Sequence, residues 1–443
     1  MTSPLDEPLI DWASDAEAAI TEPADAKKAR GLLNKEKPPA GWINWIYKKY
    51  GGWFRQIFEQ HVIEHTSVAN AIASAQDWQT VRVVEKTTDA RPGDQVTTSP
   101  SAINLGASSQ VAGACTDGRY YYAIDGFGVK KWDLLDGSDT GVTYDPGWAA
   151  GTIERLGTNG AFLVIAGTDS GADEGKVTTI DLSDGSTVST VTISSTAATA
   201  AIRRVRVGHT HAFVGRTATG ADPHDTTRIL LSDGTSTDLE LLSYGGTDSA
   251  AGLAIDDEHV YIGDSLNEEV LVYDEDGSNL LYTCTHSTGT HNLRDALVSN
   301  GKIFALFAIS GGGLELAAFH NYGGAEFASV VIDAVKTDRM FAIDDEYVYV
   351  LVGDAGGAAA TIELYAFRVE DLTLAWRRTG TYPSPNTAFG EMFSDGVHLW
   401  ADTTTPGNPQ IRRLYTGHRA QLLTKIPPGV RGQKFGLLMT RDR

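Results

Sequence analysis

Three groups of residues have the types and spacing to do chemistry. His209 and His211 alternate on an apparent strand, and His224 and Asp225 follow in the next loop. Two imidazoles on one strand face plus a loop ligand can hold a transition metal. The spacing specifies no further ligand, so no metal is expected there, and His286, His291, His398 and His418 show no ligand spacing. Asp274-Glu275-Asp276-Gly277-Ser278 and residues 169–175 bring carboxylates close together, as calcium requires. Neither fits the calcium loop that ends on a closing Glu, and Asp and Gly are also what tight hairpin turns demand. Asp256-Asp257-Glu258 and Asp344-Asp345-Glu346 occupy equivalent places in a repeat, which favours turns over sites. Arg203, Arg204 and Arg206 form a basic cluster whose ordinary reading is a solvated face or an ion pair. There is no Gly-x-Ser-x-Gly elbow, phosphate loop or dinucleotide fingerprint. In a chain this acidic, no pair of carboxylates can be singled out for glycoside cleavage. No catalytic residue, cofactor or metal is therefore assigned.

The elements that would carry such groups divide sharply. Residues 37–58 pack Trp42, Trp45 and Trp53 into a short run, in a chain with nine Trp. Pro38-Pro39 stops what precedes and frees the next residues to start a helix. Trp42, Trp45, Ile46, Trp53 and Ile57 follow three- and four-residue steps, which lays them along one helical stripe. Phe54 adds a further aromatic, and Gly51-Gly52 interrupts the stripe. So short a helix cannot bury these groups by itself, and the stripe needs a partner. The pattern reads as helix onward over 61–75. Residues 77–85 alternate like a strand.

Size, charge and cysteines bound the rest. The chain has 443 residues, 42% of them hydrophobic and 21% charged, the balance of a globular protein. A net charge of −21 repels nucleic acid and anionic membranes, so neither is an expected partner. Cys115 and Cys284 lie far apart and read as small buried hydrophobes. No stretch is long and apolar enough for a membrane span, and the N-terminus has neither the basic nor the apolar region of a secretory signal.

From about residue 103 a repeat sets in. Each copy is an Asp- or Asn-based turn followed by a strand of aromatic and β-branched residues. The copies start at Asp117, Asn159, His209, Asp256, Asn300, Asp344 and Asp395, 42 to 51 residues apart. Each copy has room for a strand before this turn and for two more after the aromatic one, with a second Asp-Gly turn at Asp136, Asp184, Asp233 and Asp276. Four antiparallel strands every ~40–50 residues mark a propeller blade. One blade cannot cover both of its apolar faces, whereas a closed ring buries every face between neighbours. The fold class is mainly β: a seven-bladed β-propeller of four-stranded antiparallel blades with an N-terminal α-helical attachment segment. The expected layout is an acidic arm over 1–36, a helical docking or oligomerisation segment over 37–76, a strand and linker over 77–102, the propeller over 103–427 and a basic tail over 428–443. Residues 78–85 or 420–426 could each supply a strand to close the ring.

Two resemblances follow. The recurring Asp-Gly-x-x-Tyr-Val pattern resembles the broad family of quinoprotein-like and YVTN-like propellers, over roughly residues 103–427. Pro38-Pro39, Trp42, Asn44-Trp45-Ile46 and Trp53 resemble a motif near the N-termini of tail-fibre and other appendage proteins of tailed bacterial viruses. That second resemblance covers about twenty residues, and this chain departs from it at Gly51-Gly52 and in continuing with a propeller instead of a fibrous shaft. It implies a structural virion protein that docks through Pro38, Pro39, Trp42, Asn44, Trp45, Ile46, Trp53, Phe54 and Ile57. The implied partners are other virion proteins of the tail, portal region or capsid, with a homo-oligomer, as a trimer, and a host-surface glycan or protein at the far end. The competing reading is a propeller enzyme, a lyase or hydrolase acting on host surface polysaccharide. A cellular scaffold or lectin is the third.

Overall fold

The computed structural model describes residues 63–65, 80–83, 91–95, 100–105, 109–416 apart from residues in the connections between and within blades (135, 149–150, 171–173, 195–201, 218–223, 243–249, 257, 265–266, 287–290, 300, 310–311, 334–337, 345, 354–360, 382–391, 395–397 and 403–409), 421–424 and 438–440. The chain forms two compact units: Met1–Lys86 with Arg419–Lys425 and Leu438–Arg443, and Thr87–His418 with Ile426–Leu437.

The larger unit is a seven-bladed propeller. Blades one to six are built from consecutive strands over 109–144, 151–194, 202–239, 250–285, 291–333 and 338–381. In each of them neighbouring strands pair antiparallel in sequence order. The first strands of successive blades approach one another, so they line the axis, and the fourth strands lie outermost.

The period of two along a strand explains the burial. In blade five, Phe304 and Leu306 face a cluster shared with blade six, while Ile303, Ala305 and Phe307 face one shared with blade four. A middle strand is thus apolar on both sides because both sides are covered. The same sharing recurs at every boundary. Seven apolar clusters of the described residues fill the seven interfaces, including the one between blades seven and one, where Ile103, Trp400 and Ile411 meet Tyr121 and Trp132.

Neither candidate strand closes the ring. Blade seven takes Met392–Ser394, His398–Asp402 and Gln410–Tyr415 from the end of the repeats, and its outer strand is Ala102–Asn104. Ala102, Ile103 and Asn104 pair with Arg412, Ile411 and Gln410. The contact continues upstream: Tyr415 N–H donates to the Asp94 carbonyl at 3.0 Å and Gly93 N–H to the Tyr415 carbonyl at 2.7 Å. Gly93 has φ +83°, and a Cβ there would stand 2.7 Å from Cβ of Arg378, so only glycine fits this approach. Asp94 in turn forms an ion pair with Arg378 of blade six.

Among the described residues, the smaller unit holds one four-stranded sheet, in the order Ile63–His65, Thr80–Val83, Gln421–Thr424, Leu438–Thr440. The first pair is parallel and the other two are antiparallel. Ile63–His65 falls inside the stretch whose pattern reads as helix. It pairs instead with Val81–Val83, since Ile63, Val81 and Val83 are β-branched residues that suit a ladder.

Candidate functional site

The docking residues read from the sequence, Pro38, Pro39, Trp42, Asn44, Trp45, Ile46, Trp53, Phe54 and Ile57, lie outside the described residues. The chemistry-bearing groups of the propeller fall in three places: the axis, the turns and the blade boundaries.

At the axis, the first strands of blades two to five each carry an irregularity at one level, after Ile153, Ile202, Ala250 and Leu293. Just beyond it stand Arg155, Arg204, Gly252 and Asp295. Arg204 pairs with Asp295 at 2.8 Å, reaching from blade three to blade five past blade four. Gly252 occupies that level of blade four, and a Cβ there would lie 2.9 Å from the Ala296 backbone nitrogen. The missing side chain leaves room for the ion pair. Arg155 donates from Nε to the Arg203 carbonyl at 3.0 Å, and Glu154 accepts from Ile202 N–H at 3.0 Å and from the Thr168 hydroxyl at 2.9 Å. Arg203 donates to the Thr217 hydroxyl and Arg206 to the Val205 carbonyl. Arg204 of the basic cluster therefore forms an inter-blade ion pair, as the ordinary reading anticipates, while the Arg203 and Arg206 side chains bond within their own blade. Arg155, Glu154 and Asp295 were not legible as members. The available signal was register: Arg155 precedes the turn residue Asn159 by four positions, as Arg204 precedes Gly208.

The Asp turns are structural. In blades one, four and six, one carboxylate oxygen takes two backbone N–H groups and the other takes a tyrosine hydroxyl five residues on. The hydroxyl distances are 2.9 Å for Tyr122 to Asp117 and 2.6 Å for both Tyr261 to Asp256 and Tyr349 to Asp344. Burial raises the Asp117 carboxyl above the usual range. Burial, then the neighbouring carboxylates, raise all three phenols. Blade two has Asn159 instead, whose amide donates to the Gly208 carbonyl of blade three at 2.7 Å. The second turns repeat a simpler cap, with Asp136, Asp184, Asp233 and Asp371 accepting from the N–H two residues on. At Asp274 burial acts upward, but hydrogen bonds from Asn279 and Ser278 prevail and bring it down to about 2. Those carboxylates close their own turn.

The histidine set does not converge. Asp225 is fully buried and accepts from Leu241 N–H, Leu242 N–H and the Thr226 hydroxyl at 2.7–2.9 Å. Burial pushes it up to about 6. His211 bonds the adjacent Thr210 hydroxyl at 2.8 Å, and burial lowers its pKa. At the boundary of blades four and five, His286 stacks on Phe307, with Nδ1 3.0 Å from Glu326 and Nε2 3.4 Å from Glu315. Opposite ring nitrogens meet different carboxylates, so the three cannot share one ion. Among the described residues, no group of three or more His, Cys, Asp or Glu is placed to hold a metal.

Two surface features remain. A groove of about 330 Å³ runs between the turns of blades two and three, walled by Phe162, Val188 and Leu231 and edged by Asn159, Asp181 and His209. Tyr322, 78% exposed, replaces the acidic turn residue in blade five, next to Leu280 and Leu281 exposed on the outer strand of blade four. The Tyr282 hydroxyl reaches the Asn321 carbonyl across that boundary. Among the described residues no helix is long and apolar enough to cross a membrane.

The class defined by this geometry is the seven-bladed β-propeller with four-stranded antiparallel blades. No protein-family pattern matches the chain, and no curated protein matches it. Solved structures do. A chain in the crystal structure of the mitotic checkpoint complex is 13% identical with a TM-score of 0.52, covering 74% of this chain and 99% of that one. The β-propeller domain of Cps50 (Swd1) from Myceliophteria thermophila is 14% identical with a TM-score of 0.49, covering 70% and 98%. BamB from Moraxella catarrhalis is 14% identical with a TM-score of 0.46, covering 72% and 98%. At such identities the likeness is one of fold, which unrelated functions share.

Proposed function

We propose that the protein is a structural component of a tailed virus particle, held by its N-terminal segment and displaying the propeller. The observation that carries this reading is the filling of all seven blade interfaces by the propeller's own residues. The ring needs nothing from the aromatic stripe of residues 37–58, whose side chains must then be buried elsewhere. Their resemblance to the appendage motif supports a virion protein of the tail, portal region or capsid as that place, and a trimer as the assembly. Burying several Trp and Phe side chains supplies a large hydrophobic contribution to such an interface. The engagement of Arg155 and Arg204 with neighbouring blades, and of Arg203 and Arg206 within their own, favours display over channel chemistry.

The propeller is then the host-facing part. The groove between blades two and three combines apolar walls with polar edges, the composition that a sugar ring uses. Deletion of residues 1–76 tests the reading. The truncated chain should fold as a monomeric propeller and be missing from purified particles. Its normal incorporation would overturn the docking role, and a glycan array with the full chain tests the far end.

A further inference from the structure

The two ends of the chain meet in one sheet, and this has a consequence for attachment. Thr80–Val83 is paired residue for residue with Gln421–Thr424, Thr80 with Thr424 and Val83 with Gln421. On its other edge Gln421–Thr424 pairs with Leu438–Thr440. The C-terminal segments thus supply two of the four strands of the smaller unit. Among the described residues, the N-terminal part contributes a parallel pair with a three-residue register, Ile63 to His65 against Val81 to Val83. A two-stranded sheet is marginal in water, and three or more strands are needed for independent stability. Parallel pairing is also the weaker kind per residue.

We infer that the particle-binding unit is made from both N- and C-terminal segments, so that Gln421–Thr424, read from sequence as the end of the propeller, and Leu438–Thr440, read as part of the tail over 428–443, are as necessary for attachment as residues 37–58. This rests on the proposed virion role. It makes the propeller, residues 87–418, an insertion between the strands of its own anchor, and residues 426–437 also belong to the larger unit. Gln421–Thr424 is the critical strand because it is central, with a partner on each side. The chain passes between the two units at 86/87, 418/419, 425/426 and 437/438.

The test uses the full chain with Leu423→Pro, which removes a backbone donor from the central strand opposite Val81 and Met439, and Val81→Pro on the facing strand. Two readouts are taken. Hydrogen exchange reports the amides of residues 80–83, and immunoblotting of purified particles reports incorporation. Leu423→Pro should strip the protection of residues 80–83, leave the melting of the propeller unchanged and lower incorporation to the level of the 1–76 deletion. Val81→Pro should match it. Retained protection at 80–83 in Leu423→Pro, or incorporation equal to that of the unaltered chain, would overturn the inference. Absence of the unaltered chain from particles would instead overturn the virion role, while the exchange result still judges the shared sheet.

Discussion

Blades five and seven do the same job with very different means. Blade five is continuous, with strands of 9, 8, 7 and 8 residues drawn from 291–333. Blade seven has strands of 3, 5, 6 and 3 residues, and its fourth comes from the other end of the repeats. Blade five is held by its own ladder, so it can pair before its neighbours arrive. Blade seven is held by Ile103, which is fully buried between Trp400 and Ile411 of its own sheet and Trp132 of blade one. Local pairing secures six blades, and side-chain burial at one seam secures the ring.

The sharpest way to break this contrast is Ile103→Asp. A buried charge without a partner at the seam should cost about 5 kcal/mol or more, and denaturant unfolding should become non-two-state as blades seven and one separate first. A single cooperative transition shifted by less than about 1 kcal/mol would show that the closing strand is dispensable.

A pH scan sharpens the same comparison from a continuous blade. The Asp225 carboxyl, raised by burial from 3.8 to about 6, binds a proton more tightly folded than unfolded. Its contribution to stability is therefore fully present below about pH 4 and is lost as pH rises through 6, by about 3 kcal/mol in all. Asp225→Asn keeps an oxygen for the Leu241 and Leu242 amides and should flatten that segment of the profile. If the whole protein's unfolding midpoint follows the wild-type decline, blade three unfolds with the ring. An insensitive midpoint would mean that the seam gives way before blade three is reached.

Smaller effects grade the turns and the axis. Asp344→Ala removes the carboxylate partner of the Tyr349 hydroxyl and orphans two backbone amides beside blade seven, and should lower stability by about 2 kcal/mol in chemical denaturation. Arg204→Ala leaves Asp295 without its partner, a loss of about 1 kcal/mol that Asp295→Ala on the same background should largely restore. Leu280→Ser, on an exposed outer strand, should stay within about 0.5 kcal/mol. A larger loss there would mean that the outer strands carry more of the ring than their exposure suggests.

The same contrast explains what could be read from the sequence. The blades were legible because each turn needs Asp, Asn or Gly and each central strand is apolar on both sides, so the pattern returns every blade. The closing strand was not, because Ala102-Ile103-Asn104 is too short to show a period and follows a proline-bearing segment that reads as linker. Nor could sequence pair Arg204 with Asp295, since the contact depends on Gly252 leaving a gap in the blade between. The turn reading of the Asp clusters was accessible because Asp256 and Asp344 recur at one position with a tyrosine five residues on. The docking residues were legible only through motif and stripe, and they lie outside the described residues.

The seam also sets a schedule for synthesis. Ala102–Asn104 leaves the ribosome early, yet its partner Gln410–Tyr415 is made some three hundred residues later. At roughly 5–20 residues per second that is a wait of about 15–60 s. Throughout it, the apolar side of blade one around Tyr121 and Trp132 has no neighbour to cover it. A nascent chain of this design is therefore most exposed to chaperones, or to a second copy of itself, just before its last blade emerges.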